Sequence, residues 1–369
     1  MIKKLSTLLL TISMASALAA CSTGTVTTTT AGTTGALGTT TAQGTTSPQG
    51  TTTAQGTTSP MGTKKAEDYK MVLILPGPIN DQSWNATNYA GLIESNEKLG
   101  TKMEYVENVQ ATDYESTFRE YAERGYDLIM AAGSQFDEAA GNVAANYPKS
   151  MFTVVNGSKA ELDNVAPIFP KEYEASYLAS IIAGHITKNG KFATIGGFPN
   201  KPMEDLMDVY EKTAVGIAKE RGISGAVANR AYANSWDDIA LGKQMAEQMI
   251  DSGADTLFIY ANQVGLGSIE AAKAKGAKVV GFSSDQTTID PATVTSSILF
   301  DFKTFYAWAV KEYMDGNLTG KVVHEAGINE GIFKPIYTEF ITQDIKDAVQ
   351  KGIDDYKAGK VDLKALFTK

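Results

Sequence analysis

Within "PGPINDQSWNATNYAGL", Pro76 to Leu92, an aspartate (Asp81), a tryptophan (Trp84) and an asparagine (Asn85) fall close together. An indole offers a flat apolar face, a carboxylate accepts hydrogen bonds, and an amide both donates and accepts. That mixture suits a small polar ligand with a flat face. Similar groups recur downstream: Ser134 in "GSQFD", Asn156 in "NGS", Trp236 in "NSWDD", Asn262 and Gln263 in "YANQVG", and Asp285 in "SSDQ". Amides, hydroxyls and rings with few cations point to binding of an uncharged heterocycle or sugar.

Catalysis finds no comparable support. His185 lies in an apolar helical stretch and His324 in a short strand-like one, with no Ser/Asp pattern near either to make a triad. There is no H-E-x-x-H and no cysteine cluster for a metal, so neither an enzyme nor a cofactor is expected. "GGFPNKP" lacks the spacing of a phosphate loop, and the G-x-G of "GLGSIEAAKAKG" is weak evidence for a dinucleotide. Asp137, Asp237 and Asp238 read as first-turn acids complementing helix dipoles. Trp236 fits a cleft wall or a hydrophobic staple before a helix equally well.

The elements that must position these groups alternate. "YKMVLILP", "YDLIMAAG", "SMFTVVNG", "KFATIGGF", "ADTLFIYA" and "AKVVGFSSD" are near-continuous apolar runs, as expected of strands buried on both faces of parallel sheets. Between them lie helical patterns that mostly close on glycine, such as Gly100 and Gly125. Strand–helix alternation argues for right-handed βαβ units. In such sheets ligands sit beyond the carboxyl ends of the strands, which is where the polar stretches above fall.

The chain begins differently. Lys3 and Lys4 precede the apolar "LSTLLLTISMASAL", and "LAAC" ends on Cys21, the single cysteine of 369 residues. This reads as a signal peptide over residues 1–20, and no intramolecular disulfide can form. Residues 21–66 are mostly a Thr/Gly/Ser/Ala tract in which "GTTTAQGTTSP" occurs twice; it lacks the apolar residues to offset ordering. As a random coil of about 40 residues this tether reaches roughly 35 Å. The formal charge of −9 comes without a basic stripe, so nucleic acid is not an expected partner.

From about Lys70 onward the chain resembles the basic membrane protein family of ABC-transporter substrate-binding lipoproteins, which includes purine nucleoside receptors. The stretches that carry it are "NDQSWN", matching D-x-S-F/W-N, "YDLIMAAGSQFDEA", "YPKSMFTVVNG", "YEASYLASIIAGHITKNGKFATIGG", "SWDDIALGKQMAEQMIDSGADTLF", "GLGSIEAAKAKGAKVVGFSSDQ" and "TSSI". The resemblance implies an α/β, type I periplasmic-binding-protein fold: two Rossmann-like lobes with parallel sheets, joined by three hinge crossovers. Lobe one is expected over residues 67–170 with 300–325, and lobe two over 171–299 with 326–369. It also implies thioether lipidation of Cys21, a membrane link through that lipid alone, a monomer, an ABC permease as partner, and a purine nucleoside or nucleobase as ligand. A sugar or a flavin-like heterocycle is the alternative.

Carried over to this chain, the family's site makes Trp84 the ring that stacks on the base, with Asp81 and Asn85 in the same motif. Asn156 faces the base where aspartate is usual, and Asp285 meets ribose hydroxyls. "YANQVG" matches an A-G-x-T-G loop, with Asn262 and Gln263 bulkier than usual. Leu299 and Phe300 stand where nucleoside receptors carry a lysine, which favours a free nucleobase or another heterocycle. Ser134 and Trp236 complete the candidate set.

The anchor generates the first prediction. Cys21→Ala is expected to move the protein out of the membrane and detergent fractions; an unchanged membrane fraction would refute lipidation.

Overall fold

The structure, a computed structural model, describes residues 64–81 and 84–368. The signal segment, Cys21 and nearly all of the tether lie outside the described residues. Among the described residues no helix is long and apolar enough to cross a membrane.

Twelve strands and nine helices are described. The first half runs β1 (Met71–Ile74), α1 (Trp84–Leu99), β2 (Glu104–Val106), α2 (Tyr114–Glu123), β3 (Leu128–Ala132), α3 (Asp137–Ala144), β4 (Met151–Val155) and β5 (Ile168–Pro170). The second runs α4 (Glu172–Ile186), β6 (Lys191–Gly196), α5 (Lys201–Glu220), β7 (Val227–Tyr232), α6 (Ile239–Asp251), β8 (Thr256–Tyr260), α7 (Asn262–Lys275), β9 (Lys278–Ser283) and β10 (Val294–Phe300). Then come α8 (Phe302–Met314), β11 (His324–Ala326), β12 (Phe333–Tyr337) and α9 (Gln343–Lys357).

These strands form two six-stranded sheets, ordered β11-β5-β4-β3-β1-β2 and β12-β10-β9-β8-β6-β7. The two orders repeat with an offset of five, and each sheet gains its last strand from the C-terminal region. All pairings are parallel except β10–β12, an antiparallel edge on the second sheet. This is the two-lobed α/β architecture that the resemblance implies. β1 and β3 are buried along their whole length and apolar on both faces, because helices cover both sides of the first sheet. The edge strand β7 is far more exposed.

The chain passes between the sheets three times: from β5 into α4, from β10 into α8, and from β11 into β12. The amide of Lys171 donates to the carbonyl of Ala326 (2.8 Å), and that of Asp301 to Ile332 (2.7 Å), so each outer crossover is stitched to the third. Glu174, 0 % exposed, binds the same region from α4. Its carboxylate accepts from the amide of Ile328 (2.5 Å) and the Tyr356 hydroxyl of α9 (2.5 Å), and pairs with Lys171 (2.7 Å). A Cβ on Gly327 would lie 2.1 Å from Glu174 Oε2, so this position has no room for a side chain.

Helix α8 returns to the first lobe and packs on α1, where the buried Tyr306 hydroxyl donates to Asn88 Oδ1 (2.5 Å). Tyr313, also on α8, donates to the carbonyl of Asp127 (3.0 Å). α9 lies against α4, with Gly352 giving way to Ile181.

α5 begins at Lys201 because Asn200 Oδ1 accepts from the Met203 amide (3.0 Å) and Pro202 is preset for a first turn. One local reading changes. α7 begins at Asn262, so Asn262 and Gln263 sit on its first turn and not in a loop.

Removing one partner of a buried charge network leaves the others uncompensated and costs about 3–5 kcal/mol. Glu174→Ala is therefore expected to lower the unfolding free energy from urea titration by that order; a value within error of the parent would show that the carboxylate does not brace the crossovers.

Candidate functional site

The candidate residues of the first lobe gather at the carboxyl ends of β1, β3 and β4. Asp81 takes the amides of Asn85 (3.0 Å) and Ala86 (2.9 Å) and the Asn85 side-chain amide (2.8 Å). Asn85 Oδ1 in turn accepts from the Gly77 amide (3.1 Å), and a Cβ on Gly77 would meet Asn85 Nδ2 at 2.6 Å. Asp81 and Asn85 therefore shape the turn that leads into α1. They fix where its first residue, Trp84, stands.

The half-buried Trp84 indole donates through Nε1 to the carbonyl of Ala132 (3.0 Å), the last residue of β3. Its ring meets Phe302 edge-on, 5.7 Å between centroids and 89° between planes. Two residues beyond Ala132, past Gly133 at φ +128°, comes the exposed Ser134. Asn156, just past β4, has φ +60°, and its amide donates to Ile168 (2.9 Å). Its side-chain Oδ1 is buried without a hydrogen-bond partner.

On the second lobe the structure brings Asn262, Gln263 and Asp285 around one cavity of ≈ 570 Å³. Tyr260 and Phe282 supply rings to it, 4.8 Å apart at 36°. Ser283, Ser284 and Gln286 add hydroxyls and an amide, while Leu266 and Ile289 are exposed apolar residues of the lining. Among the described residues that line it there is no lysine, arginine or histidine, and the acids are Asp237 and Asp285. Asp285 Oδ1 accepts from the Thr287 amide (3.1 Å) and hydroxyl (2.5 Å), which holds its carboxylate at the end of β9.

Trp236 stands at the carboxyl end of β6, next to Asp237 of the cavity lining. Its ring fills the space beside Gly197 and packs on Phe198 (5.6 Å), and its carbonyl accepts the Gln263 amide (2.9 Å). It fastens the start of α7 and does not line the cavity.

None of Asp81, Trp84, Asn85, Ser134 and Asn156 lines that cavity, and its nearest approach to α1 is through Ser283. This residue also borders a more apolar groove of ≈ 530 Å³, formed by Ala86, Thr87 and Ala90 of α1 with Leu299, Phe300 and Phe302 of the second crossover. Lys303 and Lys334 line it too, so cations stand beside the groove and not in the polar cavity. Three non-glycine residues with left-handed backbone lie at these strand ends: Asn156, Asn262 (φ +38°) and Ser283 (φ +73°). Such conformations cost free energy and concentrate at binding sites.

Sequence reasoning passed over Tyr260, Phe282 and Gln286, although "YANQVG" and "SSDQ" contained two of them. It also passed over Glu172, for which no local signal exists. The Tyr260 hydroxyl donates to Glu172 Oε1 (2.6 Å), and burial pushes the Glu172 carboxyl up to about 7. Neither histidine faces an acid: His185 Nδ1 contacts the Ile181 carbonyl and His324 Nε2 that of Thr319.

A family model, Bmp, described as "ABC transporter substrate-binding protein PnrA-like", matches residues 69–361. The ABC transporter nucleoside-binding protein BmpA of Lactococcus lactis is 29% identical over 77% of this chain and 85% of its own. A purine-binding protein of Brucella abortus is 24% identical over 80% and 83%. Among solved structures, an ABC-transporter solute-binding protein from Conexibacter woesei superposes with a TM-score of 0.63 at 20% identity, covering 81% of this chain and 100% of that one. This likeness carries the fold.

The packing of Trp84 yields a stability prediction. Trp84→Phe leaves the Ala132 carbonyl without its donor, an expected loss of about 1 kcal/mol. Trp84→Ala also removes the ring from Phe302 and should cost more, about 2–4 kcal/mol for a half-buried aromatic. Urea unfolding of the unliganded protein checks the order; equal losses would mean the ring packs on nothing that matters.

Proposed function

The chain belongs to the Bmp family of ABC-transporter substrate-binding proteins, and from that premise we propose that it is a lipid-anchored extracytoplasmic receptor for a purine nucleoside or nucleobase. It delivers this ligand to the permease of an ABC importer. Cys21 anchors it, and residues 21–66 give it reach. Lobe one (67–170 with 300–325) and lobe two (171–299 with 326–369) close over the ligand.

The observation that carries this reading is the cation-free polar cavity at the ends of β8 and β9. Asn262, Gln263, Ser284 and Gln286 offer neutral donors and acceptors suited to the edge of a base, and Asp285 offers an acceptor for hydroxyls. From the facing lobe Trp84 supplies a stacking surface, Asp81 and Asn85 hold it, and Ser134 and Asn156 stand beside it. The unpartnered Asn156 Oδ1 is an acceptor for a ligand N–H. Trp236 acts at one remove, by holding Gln263. The relatives named for nucleoside and purine binding point to the same ligand class.

One observation favours a second reading. The groove at Leu299, Phe300 and Phe302 runs on from Ser283, and its apolar walls would receive the far ring of a larger, flavin-like heterocycle. Mass spectrometry of the compound released on denaturing the purified protein separates the two.

A phosphate needs cations to offset its charge, and this cavity has none and carries Asp237 and Asp285, so adenosine or guanosine should bind more tightly than AMP or GMP in calorimetry. AMP binding as tightly as adenosine would contradict the assignment. Trp84→Ala should weaken nucleoside affinity about tenfold or more, the lower part of the base–aromatic range.

A further inference from the structure

Glu172 is the first residue of α4, directly after the first crossover, and its partner lies in the second lobe's cavity wall. Tyr260 donates its hydroxyl to Glu172 Oε1 (2.6 Å) while its ring leans on Phe282 (4.8 Å), which also lines the cavity. On its other side Glu172 borders a small cavity of ≈ 190 Å³ between the crossover, the start of α5 and the C-terminal residues Lys364 and Phe367. It therefore stands between the hinge and the site.

The charged groups around it are engaged elsewhere. Lys171 pairs with the buried Glu174 (2.7 Å). From α5, Asp205 pairs with Lys201 (2.5 Å); from β11, Glu325 pairs with Lys364 of the C-terminal segment (3.5 Å). Tyr173 beside it packs its ring on Phe367 (5.2 Å). With no cation facing it, burial dominates and raises the carboxyl from its ordinary 4.5 to about 7. Glu172 keeps some exposure where it lines the small cavity, so any closing of the lobes that removed its remaining water would favour the neutral form further.

We propose that Glu172 is a positioning residue of the cleft: its carboxyl holds Tyr260 in the cavity wall and takes up a proton when the lobes close on ligand. The second half rests on the cleft-binding reading above; the first does not. A carboxyl with a raised folded-state value keeps its proton where the unfolded chain has lost it. Stability then falls as pH rises from about 4.5 to about 7 and levels off above that. Proton uptake on closure likewise makes ligand affinity fall as pH rises beyond about 7.

The test uses the parent protein and Glu172→Gln, whose amide oxygen still accepts from Tyr260. Without ligand, the melting temperature of the parent should fall, relative to that of Glu172→Gln, as pH rises from 5 to 7.5. With adenosine as probe, parent affinity should be about threefold or more weaker at pH 8.5 than at pH 6.5, and the Gln variant nearly flat. The calorimetric enthalpy of the parent should also vary with buffer ionisation enthalpy, as proton uptake requires. Parallel melting profiles would overturn the proton on Glu172, and equal pH slopes in parent and variant would overturn its coupling to closure. Adenosine failing to bind either protein at any pH would count against the purine reading, while the melting comparison still decides Glu172.

Discussion

Three crossovers of backbone and a shared apolar core join the two sheets, and the crossovers keep one arrangement only if something braces them. Glu174 does this. Its carboxylate reaches the first crossover through Lys171, the third through the Ile328 amide, and the outer helix α9 through Tyr356. Burying a carboxylate is costly, and only a full set of donors offsets it. That requirement restricts how the crossovers can sit: a lysine 12 % exposed, a glycine at 327 and a tyrosine one hinge-length away must all arrive together.

The architecture was legible wherever burial was two-sided. β1, β3 and β4 stand out as unbroken apolar runs because helices cover both faces of their sheet. β5 passed unread, since three residues ending in proline carry no period. The antiparallel β12 was equally silent: its pairing with β10 depends on where the third crossover delivers the chain, which no local pattern encodes. Asn262 and Gln263 looked like loop because the glycines after them suggested a later helix start. The amides that the Trp236 carbonyl captures at Gln263 and Val264 decide otherwise.

The candidate site divides in the same way. Its location followed from a topological rule about strand ends, so its polar residues could be gathered before any coordinates. What each one does depends on partners distant in sequence. Asp81 and Asn85 serve the turn, Trp84 has its N–H tied to β3, and Trp236 holds the first turn of α7. Nothing local marked Glu172. Only the arrival of Tyr260, 88 residues later, encloses it. Identity is local, and environment is not.

The late strands also shape how the protein can be made. Lobe one holds the first strands of the described chain, yet its sheet lacks an edge until β11 is present, and the Oδ1 of its buried Asn88 gains the Tyr306 hydroxyl only 218 residues downstream. Contacts of such separation make folding slow, because a long loop must close before they contribute. A chain emerging N-terminus first through a narrow exit cannot complete this lobe until nearly all of it is out. The same circuit of the backbone that joins the two sheets thus delays completion of the first until emergence is almost finished.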